Sequence, residues 1–269
     1  MSDPLKSINW FMEIAYDGTD FLGWQVQPDG ITVQQVLEEK LAMIYANQII
    51  RANSSGRTDA GVHALGQAVT FTAPCRPIVE DWKLYKALNR MLPPSIRIRE
   101  VREVEESFHA RFSASGKAYT YVINRGLPNP FSDRWSWNIG NFSDLCELRK
   151  AADCLVGEHD FSSFTVDRKE IDDAVRTIYR IEIQEFGDLV CLTFVGDGFL
   201  YKMIRSLMGT LAFAGTGKVK EAEVEEILKS RKRTSAYDTA PAQGLFLMKV
   251  FYDEKSMKKF NLVSPPFWR

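Results

Sequence analysis

The sequence predicts an α+β fold made of two βαββαβ units placed side by side, with a cleft between them. Three observations carry that expectation. Residues 8–104 alternate strand-like and helix-like stretches in the order β-α-β-β-α-β. Residues 118–252 run through the same order with one extra helix. Turn signals fall between the elements, among them Asp17-Gly18, Pro93-Pro94 and Gly187-Asp188. Each half therefore reads as a split βαβ, or ferredoxin-like, unit. The expected bodies are residues 1–112, carrying a glycine-rich loop, and 113–269, completing the cleft.

The elements follow in order. "INWFMEIAY" (8–16) reads as a strand ending at Asp17-Gly18. "TVQQVLEEKLAMIYA" places Val33, Val36, Leu37, Leu41 and Ile44 on one helical face, and Thr32 with Gln35 forms a capping-box start. Short strands are expected at 47–53 and 65–72. A helix spans 81–91, stopped by the prolines, and "SIRIREVREV" alternates as a half-exposed strand does. In the second half "AYTYVIN" is a strand, and "SDLCELRKAADCLVG" a helix capped near Asp144 and closed by Gly157. "TIYRIEIQEFGDLVCLTFV" is a hairpin. Helices over 199–214 and 221–231 precede a last strand, "GLFLMKVFY". The segment 105–117 is the expected crossover.

Composition narrows the function classes. With 45% hydrophobic and 26% charged residues the chain reads as a soluble globular protein. No run of eighteen apolar residues is present and the N-terminus lacks a basic-then-apolar pattern, so no membrane role is expected and a cytoplasmic location is. The four cysteines form no C-x-x-C pair and the three histidines lie far apart, which argues against a metal knuckle or a disulfide framework. Net charge is −1, which names no partner. Affinity for a polyanion depends on where the cations lie, so a local basic face stays open.

The most informative stretch is "SSGRTDAGVHA" (54–64), a polar loop between the middle strands of the first unit. It centres on Asp59, with Gly56 and Gly61 on either side and Arg57 two residues away. An aspartate in such a loop commonly just caps backbone amides. Chemical alternatives fall away in turn. No G-x-x-x-x-G-K-[ST] phosphate loop and no G-x-S-x-G elbow occur, and Asp59 has no evident second carboxylate for a protease or glycosidase pair. What is left for catalysis is a lone aspartate acting as nucleophile or base.

The chain resembles the TruA-type tRNA pseudouridine synthases. The likeness rests on "YDGTDFLGWQVQ" (16–27), "SGRTDAGVHA" (55–64), "FHARFSASGKAYTY" (108–121), "LVGEHDFSSF" (155–164), "GDGFLYKMIRSLMG" (196–209) and "APAQGLFL" (240–247), in family order. Ser55 stands where the family more often has Ala, and Phe246 where Tyr is common.

The resemblance implies isomerisation of uridine to pseudouridine in the anticodon stem-loop of tRNA, at positions 38, 39 and 40, on a flipped nucleotide. No cofactor, metal or energy source is implied. Asp59 is implied as the essential carboxylate. Tyr119 is implied to stack on the flipped uracil, Arg57 to contact RNA or fill the vacated space, and Arg205 to pair with Asp59 across the cleft. Lys202 and Arg205, three apart, are expected on one helical face. A homodimer with the tRNA touching both subunits is implied as well. Candidate basic patches are "RIREVR" (97–102) and "KSRKR" (229–233). The alternatives are a pseudouridine synthase acting at another tRNA or RNA position, a non-catalytic RNA-binding protein, and an aspartate-dependent hydrolase needing a second acid or a metal.

Overall fold

The computed structural model describes residues 7–75, 79–166 and 173–268. Its elements, in chain order, are β1 (Ser7–Tyr16), α1 (Val33–Ile44), β2 (Asn53–Ser54), β3 (His63–Pro74), α2 (Asp81–Met91), β4 (Ile96–Val104), β5 (Gly116–Asn124), β6 (Trp137–Asn138), α3 (Leu145–Asp153), β7 (Gly157–Asp160), β8 (Val175–Phe186), β9 (Leu189–Gly196), α4 (Met203–Gly215), α5 (Glu221–Ser230), β10 (Leu245–Phe251) and α6 (Glu254–Lys259). The architecture is α+β with mixed strand pairing: β5 and β6 run parallel, while β1, β3 and β4 pair antiparallel. Two compact units divide it. The first holds the described residues up to Ser115 together with Leu247–Asp253, and the second holds Gly116–Phe246 and the residues from Glu254 on.

In the first unit β1 lies between β4 and β3, and β2 and β10 also pair with β3. β1 buries side chains on both faces, because a central strand is covered twice. Trp10, Met12, Ile14 and Tyr16 share one face and Phe11 lies on the other. Phe11 packs edge-on to Phe108 and Tyr252, with ring centroids 5.9 and 5.8 Å away. The Tyr252 hydroxyl donates to Ala110 O at 2.9 Å. These contacts bind Leu247–Asp253 to the first unit, where the sequence reading kept the last strand wholly in the second. Residues 105–113 are likewise a packed cover rather than a bare crossover, with Ala110 N–H donating to the Thr70 hydroxyl at 3.2 Å.

α1 starts at the expected cap. Thr32 Oγ1 accepts from Gln35 N–H at 3.3 Å, but the Gln35 side chain turns forward to Glu39 (3.1 Å) and the reciprocal half of the box is not made. Val33, Leu37 and Leu41 are fully buried, each contributing about 1.5–3 kcal/mol. The strand expected at 47–53 shrinks to β2. Ala46 and Asn47 adopt left-handed backbone (φ 54° and 62°), and α1 side chains then claim the chain: Glu38 accepts from Ala52 N–H (2.9 Å) and Gln34 donates to Ala52 O (3.2 Å). Backbone groups satisfied by helix side chains have no need of a strand partner.

In the second unit the strand order is β5-β9-β8-β7. The hairpin turns at Gly187, whose φ is +62°. α3 is capped by Asp144, which accepts from Glu147 N–H at 3.0 Å. It ends at Cys154; Gly157 instead opens β7, an edge strand the sequence reading missed. α4 begins at Met203, four residues later than expected, because Lys202 sits in left-handed backbone (φ 56°). Among the described residues no helix is long and apolar enough to cross a membrane.

Candidate active site

Asp59 occupies the first position of a tight turn. Val62 N–H donates to Asp59 O at 3.1 Å, and Gly61, at φ +78°, takes the turn position that needs left-handed backbone. The turn leads directly into β3 at His63. Asp59 is half-buried, Thr58 buried and Arg57 exposed; among the described residues no salt bridge engages Arg57.

A second loop braces the turn. Trp24 N–H donates to Thr58 O (3.1 Å) and Gly61 N–H to Phe21 O (3.3 Å). Gly23, at φ +84°, lies so close that a Cβ there would come within 2.5 Å of Thr58 O and 3.1 Å of the Asp59 carbonyl carbon. A Cβ on Gly18 would meet Val62 O at 2.0 Å. Blocks 16–27 and 55–64 are thus one structure of two interlocked loops. The sequence reading did not join them. Glycines inside an aromatic-rich block were the available signal, since close backbone approach is a common reason for such a glycine.

Side chains complete the brace. The Tyr16 hydroxyl, at the end of β1, and the Thr58 hydroxyl are 2.8 Å apart and buried, and burial pushes the Tyr16 hydroxyl up to about 12 despite this bond. Gln67 donates to Gly56 O (2.8 Å) and accepts from the Ser55 hydroxyl (2.7 Å). The buried His63 ring has Nδ1 3.0 Å from Gly18 N and 3.2 Å from Asp17 Oδ1. Burial of Asp17 favours the neutral acid, but the adjacent His63 ring and hydrogen bonds from the Thr19 hydroxyl and amide outweigh it. They hold the carboxyl well below the usual range.

The second unit contributes a separate set. Tyr119 lies on β5, opposite Phe194 of β9, and is 8% exposed. Phe199 packs edge-to-face on it with centroids 5.3 Å apart, a neighbour the sequence reading passed over. Arg205 lies in the first turn of α4, a helix buried nearly all round, and is half-buried. Its Nε donates to Ala240 O at 2.8 Å, while Ala240 N–H donates back to Arg205 O at 2.9 Å. Gly209 allows this close approach, because a Cβ there would stand 1.8 Å from Asp238 O. Lys202 precedes the helix and lies over the Tyr201 ring at 5.0 Å, so it does not share a helical face with Arg205. A cation at a helix N-terminus opposes the helix dipole, and burial adds a desolvation cost. Arg205 is therefore placed against two local preferences.

The two expected basic patches are largely engaged nearby. Arg99 pairs with Glu13 (3.9 Å), Arg102 with Glu100 (2.9 Å), Lys229 with Glu225 (2.7 Å) and Arg231 with Asp160 (3.2 Å). Arg233 donates to Ala236 O and Tyr237 O. Among the described residues no group of three or more His, Cys, Asp or Glu is placed to hold a metal ion. Burial pushes the Cys154 thiol up to about 11 and Cys191 up to about 12, leaving both poor nucleophiles.

A family model described as tRNA pseudouridine synthase matches residues 12–113 and 151–253. The chain is 44% identical over 240 residues to tRNA pseudouridine synthase A of Brevibacillus brevis, covering 89% of this chain and 97% of that one. It is 41% identical over 245 residues to the protein of the same name from Thermoanaerobacter sp. strain X514, covering 91% and 99%. The corresponding protein of Bacillus licheniformis is 42% identical over 242 residues, covering 89% and 97%. A match that takes in both the interlocked Asp59 loops and the Arg205 helix means that this chain belongs to the tRNA pseudouridine synthase family, enzymes that isomerise uridine in tRNA.

Proposed function

We propose that this enzyme converts uridine to pseudouridine in the anticodon stem-loop of tRNA, at positions 38, 39 and 40, with Asp59 as the essential carboxylate. The observation that carries the reading is the bracing of Asp59: an acid on a turn locked by the backbone of a second loop. The reaction breaks the N1–C1′ glycosidic bond and forms C5–C1′ on the same uracil, the C5 proton being lost and N1 taking one up, so one carboxylate must act and then leave. Ionised Asp59 adds to the nucleoside or removes a sugar proton. Both routes need it held rigidly beside a flipped base.

The remaining roles follow. Tyr119, steadied by Phe199, stacks on the flipped uracil, and such stacking is worth about 1–3 kcal/mol. That offsets much of the few kcal/mol needed to extrude the base. Arg205 pairs with Asp59, which accounts for a guanidinium held against the dipole of α4. Arg57, exposed beside the acid, contacts RNA or fills the space the base leaves. In this reading the two units are ferredoxin-like bodies whose cleft takes the nucleotide. The enzyme works in the cytoplasm as a homodimer with tRNA touching both subunits.

The test uses unmodified tRNA transcripts carrying uridine at 38, 39 or 40, with chelator present, and maps pseudouridine at nucleotide resolution. Wild type is expected to modify those positions and Asp59→Asn none of them. Arg205→Met is expected to lose activity and alter its pH dependence; ordinary activity with an unchanged profile would sink the ion pair. Modification confined to other positions would reassign the target. Binding without product in wild type would favour a non-catalytic RNA-binding protein.

A further inference from the structure

We infer that the outward face of α2 is a second tRNA contact, where Lys83, Lys86 and Arg90 hold the sugar–phosphate backbone and Trp82 and Tyr85 pack against it. The inference rests on tRNA being the substrate and adds a surface outside the reacting site. α2 buries Leu84 and Leu88 against its own unit and turns these other five side chains outward. Trp82 is 51% exposed and Tyr85 40%, a large aromatic area for a helix to leave in water. Lys83 and Lys86 stand over the Trp82 ring, 5.3 and 4.9 Å from its centre. Lys83, Lys86 and Arg90, at spacings of three and four, line one side of the helix.

Charge decides what this face fits. Glu80 pairs with Lys83 at 3.3 Å and accepts from the Trp82 ring N–H at 2.6 Å. That ion pair is exposed and opens at little cost. Among the described residues, neither Lys86 nor Arg90 has an acidic partner within ion-pair distance, unlike Arg99 and Arg102 of β4. Cations interleaved with exposed aromatics match a nucleic-acid backbone better than an apolar protein surface.

Position supports the same occupant. α2 runs toward the end of the first unit's sheet that carries the Asp59 turn. Just beyond its last residues, Ser95 O accepts from Asp17 N–H at 2.9 Å and Ile96 pairs with Tyr16, whose hydroxyl meets Thr58. The eleven residues of α2 span about 16 Å, so the row of cations leads from that end of the sheet along a length a stem can follow.

The test measures affinity for an unmodified tRNA transcript as a function of salt, separately from pseudouridine formation. It compares wild type, Lys86→Ala/Arg90→Ala, Trp82→Ala and a control, Lys255→Ala, on α6. The double variant is expected to bind about ten-fold more weakly at moderate salt. Its log–log salt slope should be shallower by about 1.5–2, near the loss of two phosphate contacts. Its kcat should match wild type, and Lys255→Ala should show neither change. Affinity and slope equal to wild type would overturn the inference. So would a fall in sedimenting mass for Trp82→Ala with unchanged tRNA affinity, which would make the face a protein contact. Because binding is read without turnover, a wild type that binds tRNA but forms no pseudouridine leaves this comparison intact and counts only against the catalytic reading.

Discussion

In the first unit Asp59 stands on a turn whose shape comes from backbone pressed on backbone, Gly23 against Thr58 O and Gly18 against Val62 O. In the second unit Tyr119 and Arg205 ride on β5 and α4, elements positioned by rows of buried side chains. The first arrangement concentrates its precision in a few atoms and has no slack for one added methyl group. The second includes backbone approach too, as at Gly209 against Asp238 O, away from Tyr119, but spreads its precision over many contacts, so single changes away from the residues themselves act through stability. In the proposed function Asp59 is the reacting carboxylate and gains from the first kind, because a misplacement of about 1 Å can cost a hundred-fold in rate. The base-holding and counter-charge roles proposed for Tyr119 and Arg205 tolerate the second.

This contrast can be broken from either side. Gly23→Ala should have the largest effect. The added Cβ meets Thr58 O at 2.5 Å in backbone that disfavours side chains, so kcat should fall about a hundred-fold with KM nearly unchanged. Single-turnover pseudouridine formation measures it, and near-normal kcat would show that the brace is slack. Gly209→Ala should act through stability instead. Helix propensity favours Ala by about 1 kcal/mol, but a Cβ 1.8 Å from Asp238 O forces α4 off that segment at a greater cost. A net loss of about 2 kcal/mol in urea unfolding is expected, with the remaining folded enzyme keeping most of its kcat.

A smaller effect is expected from Thr58→Val, which keeps the shape and removes the buried hydroxyl pair with Tyr16. About 1 kcal/mol of stability should go, together with a several-fold fall in kcat, measured as for Gly23→Ala. The smallest is a pH effect on the second loop. The Asp17 carboxyl is held below its ordinary range, so its contribution to stability is complete above the ordinary carboxylate pKa of about 4. It is lost as pH falls through that value toward the lowered one. Asp17→Asn should therefore melt earlier than wild type at pH 7, and the gap should narrow by pH 3. An equal gap at both pH values would show that Asp17 acts through shape alone.

Much of this was legible in the chain. The periodicity of 33–44, the Thr32 cap, the prolines after α2 and the Gly187 turn are local features, and local physics decided them. Asp59 stands out in the chain because a polar, glycine-rich loop surrounds it between two apolar runs. The misses share a cause. Residues 48–52 read as strand until Glu38 and Gln34, fourteen and eighteen residues before Ala52, took up its backbone. β7 is too short and polar to announce itself and exists because β8 offers it an edge. Lys202 and Arg205 read as one helical face until a left-handed residue moved the start of α4 between them.

By itself, then, the sequence determined the α+β class, the position of α1 and α2, the Thr32 and Asp144 caps, and the polar loop that carries Asp59. These depend on residue type and spacing within a few turns of chain. Tertiary structure alone decided that residues 16–27 brace Asp59, that Phe199 steadies Tyr119 and that Leu247–Asp253 completes the first unit. Each depends on backbone approaching backbone, or ring meeting ring, between segments distant along the chain. Such contacts leave in the sequence only a glycine or an aromatic residue, which does not name its partner.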